Sequence, residues 1–329
     1  MLLIKRRLLT CAVMAAVALG SGHSASAASF PDHPIKLIAA FSPGGPTDIL
    51  ARILATGLGK VLGQSVIVDN KAGGGGLIGA QAAAKAEPDG YTLLFAGDGQ
   101  LTVLPLIFRK SGYDADRSFV PIRMVAGQDN VLVASKNSGI ASVESLVARA
   151  KAKPATVSYG SAGNGTPSQL IGALFEKSTG TRLLHVPYRG SGPAMADLLG
   201  GQTDLMFIGM PVALQQAKGE KLSLLATTGN ARSPHTPQVP TFKELGVAGL
   251  GDETGVWWAV MAPHGVPASV KVRLEHAVET ALADPDVKKA LNAAGVDVMN
   301  SDAAAVEARI RKDRARWAGL INSGTLVSE

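Results

Sequence analysis

A chain of 329 residues is long enough to form two domains of ordinary size, each with its own core. Outside residues 1–27 it carries 29 basic and 26 acidic residues, a formal net charge of +3, which is too small to predict a nucleic acid as a partner. The one cysteine, Cys11, also lies within residues 1–27, so the remainder has neither a disulfide nor a thiol nucleophile.

Residues 1–27 have the layout of a cleavable secretory signal. The basic head Lys5–Arg7 precedes an apolar stretch, Leu8–Gly20, which is too short to span a bilayer. Ala25–Ala27 then supplies an A-x-A cleavage site. We therefore expect export to the periplasm and removal of residues 1–27.

After the signal, short β-branched runs alternate with helical patterns. We predict strands at 35–41, 65–69, 91–96, 131–135, 156–160, 182–187, 204–208, 222–227 and 256–261. We predict helices near 47–62, 77–86, 142–152, 167–178, 192–200 and 211–218, and a mostly helical segment from Pro267 onward. This alternation predicts α/β layers with largely parallel sheets.

Two segments have the composition of crossovers between domains. One lies near Gly127–Asn130, and the other is the Pro- and Gly-rich stretch Ser233–Glu253. They predict a first domain built from 28–128 plus 252–329 and a second domain built from 129–251. Two linkers side by side would permit the domains to close around a cleft.

A glycine run offers one functional alternative. In VIVDNKAGGGGLIGAQAAAKA, Gly74, Gly76 and Gly79 satisfy G-x-G-x-x-G, and Asp98 lies at a suitable distance to hold a ribose. This pattern is typical of a dinucleotide-dependent oxidoreductase. Against it, the loop follows the second predicted strand rather than the first, and a run of four glycines satisfies such patterns by composition alone.

The segment FSPGGPTD, beginning at Phe41, predicts an anion-binding loop. A strand delivers the chain into Ser42–Gly45, and a helix starts at Pro46–Thr47. Free N–H groups and the helix dipole at such a start attract anions, and Gly44 and Gly45 allow a ligand close to the backbone. Asp48 has two interpretations, support of the helix start or contact with the ligand.

A second segment repeats this arrangement. Ser161, Gly163, Asn164, Gly165 and Thr166 follow a predicted strand, and the next helix is entered through Pro167, with Thr166 as a candidate N-cap. One such loop is an ordinary βα turn. Two of them, one in each predicted domain, favour a facing pair across a cleft.

A third segment, HVPYRGSGPAMADLLGGQTDLMF, reads as strand, loop, helix and strand. Tyr188 and Arg189 stand at the strand exit, where Arg189 would pair a carboxylate or lie on the surface, and Ser191 is a candidate helix cap. The histidines after residue 27 lack H-x-H and H-x-x-x-H spacing, so the sequence predicts no transition-metal site. Ser161 lacks the first glycine of a nucleophile elbow. The inventory favours reversible binding over catalysis.

Five segments follow one another in a distinctive order. They read FPDHPIKLIAAFSPGGPTDILAR, GQSVIVDNKAGGGGLIGAQAAAKAEPDGYTLLFA, GSAGNGTPSQL, VPYRGSGPAMADLLGGQTDLMF and LLATTGNARSPHTPQVPTFKELG. Together they resemble the tripartite tricarboxylate transporter substrate-binding family, the TctC-like or Bug receptors, over nearly the whole chain after the signal.

The resemblance implies a type II-like, Venus-flytrap periplasmic binding protein with two α/β domains and a ligand cleft between them. It implies a monomeric, non-enzymatic receptor without cofactor or metal. The receptor would hold a small carboxylate through backbone amides and ordered waters and present it to a membrane permease of the tripartite tricarboxylate type. Some members of the family act in sensing, which keeps a signalling kinase open as an alternative partner.

The resemblance also assigns residues. The family's first loop, F-x-P-G-G-x-x-D, is matched in full by FSPGGPTD. Its second loop, G-N-G-S-x-x-H-L, is matched except that Thr166 replaces Ser and Gln169 replaces His. Where many members carry a polar or acidic residue after Phe207, this chain has Ile208-Gly209-Met210, which indicates a less polar pocket. The family commonly has a glycine turn where the G-x-G-x-x-G pattern falls.

Overall fold

The structure is a computed structural model that describes residues 30–108, 111–217, 219, 221–251 and 255–322. The predicted signal, residues 1–27, and the domain boundary predicted at residue 252 lie outside these ranges. No helix of the described ranges is long and apolar enough to cross a membrane.

The described residues form an α/β protein with eleven strands and eleven α-helices. The strands are β1 (Ile35–Ala39), β2 (Val66–Asn70), β3 (Thr92–Gly97), β4 (Phe119–Gln128), β5 (Asn130–Ser135), β6 (Ser158–Ser161), β7 (Leu184–Pro187), β8 (Leu205–Gly209), β9 (Leu222–Thr227), β10 (Val256–Pro263) and β11 (Asp297–Val298). The helices are α1 (Pro46–Leu62), α2 (Leu77–Ala84), α3 (Asp98–Thr102), α4 (Leu104–Ile107), α5 (Val143–Ala152), α6 (Pro167–Thr179), α7 (Ser191–Leu199), α8 (Met210–Ala217), α9 (Ala268–Ala283), α10 (Pro285–Ala293) and α11 (Ala303–Asn322).

The strands form two sheets. A six-stranded sheet has the order β11-β4-β10-β3-β1-β2, and a five-stranded sheet has the order β7-β6-β8-β5-β9. The prediction of largely parallel sheets is wrong. Strand β1 runs parallel to β2 and β3, and β6 runs parallel to β7 and β8, but every pairing made by β5, β10 or β11 is antiparallel.

The antiparallel pairings of β5 and β10 arise where the chain passes between the sheets. Only Asp129 separates β4, in the six-stranded sheet, from β5, in the five-stranded sheet, and the chain returns between β9 and β10. Strand β5 enters its sheet at the edge where β8 ends and therefore runs antiparallel to β8. Strand β10 enters its sheet at the edge where β3 ends and runs antiparallel to β3. The alternating sequence pattern does not encode this direction. The predicted domain boundaries stay a prediction, since sheet membership does not set where a domain ends.

Helix α11 contributes side chains to two hydrophobic clusters. Val306 and Ile310 pack with Trp257 in the cluster of the six-stranded sheet. Trp317, further along the same helix, belongs to the cluster that includes Phe207 of β8. The apolar positions of α11, repeated at helical spacing, therefore bury the helix against the cores of both sheets.

Candidate functional site

A cavity of about 60 Å³ lies between the two sheets. It is lined by Phe41, Gly45, Pro46, Thr47, Gly75, Gly97, Asp98, Gly99, Gln100, Gln128, Asn130, Ala162, Thr166, Pro167, Ser168, Ser191, Phe207, Ile208, Gly209, Val256 and Trp258. Most of these residues follow or end a strand, as expected for a site at the carboxyl ends of sheet strands. Asp98 is the one ionisable side chain among these described lining residues.

The N-terminus of α1 opens at this cavity. Gly45 is the N-cap, and Pro46 occupies the first turn, where its missing N–H is not needed. The first bond of the helical ladder runs from the Ile49 N–H to the Gly45 carbonyl (3.0 Å). The N–H groups of Thr47 and Asp48 therefore stand outside the ladder, at the positive end of the helix dipole.

Helix α6 begins in the same way from the other side of the cavity. Thr166 is the N-cap and Pro167 the first helical residue, and the ladder starts with the Leu170 N–H donating to the Thr166 carbonyl (3.0 Å). The N–H groups of Ser168 and Gln169 stand outside this ladder. Two helix N-termini, one from each sheet, therefore border one cavity, as the paired sequence segments predict.

Asp48 supports its loop. The residue is 5% exposed. Its Oδ2 accepts the Gly44 N–H (3.0 Å), while its Oδ1 accepts the Asn70 Nδ2–H (3.0 Å) and pairs with Arg52 (2.8 Å). Burial acts to raise the pKa of Asp48, but the hydrogen bonds from Arg52, Gly44 and Asn70 outweigh it, so the pKa lies below its ordinary 3.8. Both carboxylate oxygens are occupied, which favours the interpretation of Asp48 as support for the helix start.

The side chain of Ser161 is buried inside the second loop. Its Oγ accepts the Gly163 N–H (3.1 Å) and is hydrogen-bonded to His185 Nε2 (2.6 Å); burial lowers the pKa of His185. Thr166 is at the N-cap position, but its Oγ1 donates to the Gly163 carbonyl (2.6 Å) rather than accepting a helix N–H. Gly165 donates its N–H to Gln169 Oε1 (2.6 Å). These bonds hold the loop shape.

The predicted site residues fall into three groups. Phe41, Gly45, Thr47 and Thr166 line the cavity. Ser42, Gly163, Asn164, Tyr188 and Arg189 line an open groove beside it, and the two spaces share Gly75. Gly44, Asp48, Ser161 and Gly165 support the loops and are not among the lining residues of either space.

The groove marks a contact between loops from the two sheets. Ser42 Oγ donates to the Arg189 carbonyl (3.2 Å), and Tyr188 turns its hydroxyl to Asp197 Oδ2 (2.7 Å). The predicted cap role of Ser191 is wrong, because Gly190 holds the N-cap position and Ser191 is the first helical residue of α7. Ser191 instead lines the cavity, and the position that a Cβ on Gly45 would take lies 3.5 Å from its Cβ.

The glycine run is explained by close packing. Gly75 has φ +64°, and a Cβ there would lie 2.1 Å from the Asn164 carbonyl oxygen of the opposite loop. A Cβ on Gly76 would lie 2.1 Å from Gln100 Nε2, and one on Gly79 would lie 2.6 Å from the Ala40 Cα. These contacts require glycine for protein packing, so the dinucleotide alternative gains no support from the pattern.

Other lining residues were not predicted as contacts of a carboxylate site. The sequence predicts Asp98 only as a possible ribose contact and assigns no role to Gln100, Gln128 or Trp258. Asp98 follows β3 directly and Gln128 ends β4, so polar residues at the carboxyl ends of the strands were the available signal. Trp258 lies in an apolar run, yet its Nε1–H donates to Thr47 Oγ1 (3.0 Å), which orients the hydroxyl at the N-terminus of α1.

Asp98 has an unusual environment. It is 3% exposed, and burial foremost, followed by the nearby Asp313, raises its pKa from 3.8 to about 7, although Arg316 and Arg309 act in the opposite direction. No group of three or more His, Cys, Asp or Glu side chains in the described ranges could hold a metal ion. Asp98 thus stands at the cavity without metal-ligand companions among those residues.

The family is decided by comparison with known sequences. Residues 50–326 match the model of the tripartite tricarboxylate transporter family receptor, TctC. The chain belongs to this family. Its TctC and Bug members are periplasmic solute-binding receptors, which confirms the resemblance seen in the sequence.

Three TctC-family relatives show how far the similarity extends. Protein BugT of Bordetella pertussis is 37% identical over 297 residues, covering 90% of each chain. The periplasmic binding protein BugD has a TM-score of 0.87 at 32% identity, covering 91% of this chain and all of BugD. Rpa4515 of R. palustris, solved with adipate, has a TM-score of 0.86 at 30% identity, covering 91% of this chain and 99% of the other. The two-domain periplasmic-binding-protein fold with its cleft is thereby confirmed.

The glycine at position 209 has a physical explanation. A Cβ on Gly209 would lie 1.8 Å from Gln128 Nε2, so the space that a side chain at position 209 would need is filled by the Gln128 amide. The cavity wall after β8 therefore includes the polar side chain of a β4 residue. The expectation of a less polar pocket, drawn from Ile208-Gly209-Met210, stays a prediction.

Proposed function

We propose that this protein is a periplasmic receptor that captures a small carboxylate in the cavity and delivers it to a membrane permease of the tripartite tricarboxylate type. The observation that carries the proposal is the pair of helix N-termini, α1 and α6, at one cavity whose described lining contains no Lys, Arg or His. The relative Rpa4515 was solved with the dicarboxylate adipate, which supports the same ligand class.

The anion would be held mainly by main-chain groups. The N–H groups of Thr47 and Asp48 on α1, and of Ser168 and Gln169 on α6, lie outside the helical ladders and need acceptors. Thr47 Oγ1 accepts from Trp258, so its own hydrogen remains to be donated. A carboxylate bonded at both helix starts would join the two sheets and stabilise the contacts between their loops.

The same proposal covers location and assembly. The mature protein would be a periplasmic monomer released by cleavage after Ala27, with domains at 28–128 plus 252–329 and at 129–251 that close around the ligand. N-terminal sequencing of the exported protein tests the cleavage site, and sedimentation of the purified protein tests the monomer.

Thermal unfolding tests the ligand class. A ligand that binds only the folded state raises the free energy of unfolding by mass action, by about 2.7 kcal/mol at one hundred times its Kd. We expect a clear rise in Tm with at least one organic acid in a broad panel. No rise with any acid, together with no acid co-purifying by mass spectrometry, would overturn the proposal.

Transport needs its own test. Cells lacking the receptor should lose uptake of the labelled ligand and regain it with the wild-type gene but not with a binding-deficient variant. Unchanged uptake without the receptor would reject the permease role while leaving the binding role intact.

A further inference from the structure

The cavity contains a carboxyl group that carboxylate capture does not explain. Asp98 is 3% exposed, and its Oδ1 is buried with no hydrogen-bond partner among the residues that the structure describes. It lines the same cavity as the N-termini of α1 and α6. The carboxyl accepts a backbone hydrogen bond from Gly99, so Oδ1 is the oxygen left without a donor. When ionised, such an acid beside an anion site repels the anion unless the ligand supplies a donor to that oxygen.

The charged groups around Asp98 lie on α11. Asp313 opposes its ionisation, and Arg316 and Arg309 favour it. Asp313 is already committed, because its Oδ2 accepts the Trp257 Nε1–H (2.8 Å) and the Arg309 Nε–H (2.7 Å). On the cavity side, no other ionisable side chain belongs to the described lining.

Two glutamine amides share this situation. Gln100 Oε1 and Gln128 Oε1 are buried, lack partners within the described ranges and line the same cavity. Their Nε2 atoms lie beside Gly76 and Gly209, 2.1 and 1.8 Å from where a Cβ on each glycine would stand. One cavity is thus lined by three residues whose buried acceptor oxygens lack donors among the described residues.

We propose that the solute carries an N–H or O–H donor, an ammonium or a hydroxyl group, in addition to the carboxylate held at the helix starts, and that Asp98 binds this donor and sets specificity. The inference rests on the proposed function, because it assigns the second half of the same ligand. The hydroxyl and the ammonium share one chemistry at Asp98, and the experiment separates them.

The donor contact has a pH signature. A donor stabilises the ionised carboxylate of Asp98, whose pKa is raised by burial to about 7. Binding near pH 7 should therefore release a proton, and affinity should rise as pH increases through about 7. A ligand that instead places a second carboxylate at Asp98 would favour the protonated form, take up a proton and bind less tightly as pH rises.

Calorimetry on the mature protein with matched acids tests the proposal. The probes are succinate, malate and aspartate, and butyrate, 4-hydroxybutyrate and 4-aminobutyrate, which differ within each set only in the donor. We expect a donor-bearing acid to bind at least about tenfold tighter than its unsubstituted partner. Titrations repeated in buffers of different ionisation enthalpy should show that binding releases a proton near pH 7. The tighter binder of the hydroxy and the amino acid in each set identifies the donor.

Asp98→Asn supplies the variant test. It should lose most of the preference for the donor-bearing acid over its unsubstituted partner. Should this variant fail to fold, the selectivity and the proton release of the wild type decide the matter alone. Equal or tighter binding of the unsubstituted acid, proton uptake, or a co-purified ligand without an N–H or O–H donor would overturn the inference while leaving the carboxylate receptor intact. Failure of every acid, with none co-purified, would remove both.

Discussion

Asp48 and Gln169 occupy the same position in two helices that face one cavity. Each is the third residue of its helix, after a proline, and each accepts the N–H of a glycine four residues earlier, Gly44 at 3.0 Å and Gly165 at 2.6 Å. Each side chain thereby ties the loop to the first turn of the helix, as in a capping box. The two halves of the proposed anion site therefore share the same local hydrogen-bond arrangement.

This relationship predicts the effect of removing the Asp48 carboxylate. Asp48→Ala leaves the Gly44 N–H without its acceptor and removes a charge-assisted bond to Asn70, so we expect the free energy of unfolding to fall by about 2 kcal/mol. Because the pKa of Asp48 is lowered, its contribution is present above pH 3.8 and is lost as pH falls further.

Urea unfolding at pH 7 measures this loss. Asp69→Ala is the control, since Asp69 is a partly exposed acid of β2 that forms only a 3.4 Å pair with Lys71 among the described ion pairs, and such a pair contributes at most about 1 kcal/mol. Equal effects of the two substitutions would mean that Asp48 does not brace the loop.

Asp98 should make the protein less stable as pH rises. Its pKa is about 7 in the folded chain, raised by burial from 3.8, so between these values the folded chain holds a proton that the unfolded chain has released. Between these two pKa values, the free energy of unfolding therefore falls by about 1.4 kcal/mol for each pH unit. Above pH 7 the contribution of Asp98 no longer changes.

Asp98→Asn cannot ionise and should be more stable than wild type at pH 8, with a difference that shrinks toward pH 4. Unfolding in denaturant across this range measures the effect. Asp297→Asn alters the net charge equally at an exposed position of β11 and should leave the pH slope unchanged. If Asp98→Asn keeps the wild-type slope, Asp98 does not hold the proton.

Thr47→Val should weaken carboxylate binding. The substitution keeps the shape of the side chain but removes the hydroxyl that accepts from Trp258 and has its hydrogen free for the ligand. A hydrogen bond to a charged group contributes about 1.5–3 kcal/mol, so the loss in affinity should reach about tenfold or more by calorimetry. Thr56→Val is the control. Thr56 lies on the same helix, but it is exposed and its hydroxyl donates to the Arg52 carbonyl. Similar losses from both would contradict a ligand contact at Thr47.

Gly75→Ala should prevent the loops of the two sheets from meeting. A Cβ there would lie 2.1 Å from the Asn164 carbonyl oxygen, whereas Gly63, with nearly the same φ (+69° against +64°), has no atom within 4 Å. Both substitutions introduce strain of about 1 kcal/mol from the left-handed backbone. Only Gly75→Ala should also lower ligand affinity, by about tenfold. Affinity unchanged by Gly75→Ala would show that the contact is not needed for binding.

Much of this architecture can be predicted from the sequence because the residues that mark helix starts lie next to one another in the chain. Pro46, Pro167 and the glycines before them mark helix starts after strands, and the structure has these helices within one residue of the predicted bounds. Strand direction was missed because it depends on where the chain passes between the sheets. At Asp129 this takes a single residue, which leaves little composition to detect.

The site was predictable where main-chain geometry determines it and unpredictable where side chains from distant segments meet. Trp258 reaches Thr47 across 211 positions. Gln128 fills the space beside Gly209, which no pattern around either residue reveals. Ser161 looked available in the sequence because its burial and its bond to His185 come from β7.

The absence of Lys, Arg and His from the described cavity lining has an evolutionary consequence. Amide groups at a helix start survive nearly any side-chain replacement, so the proposed binding of an acid would be inherited with the fold. Substitutions at Asp98, Gln100 or Gln128 would then leave those amides in place. A receptor built as proposed could acquire a new solute one substitution at a time, with each intermediate still binding an acid.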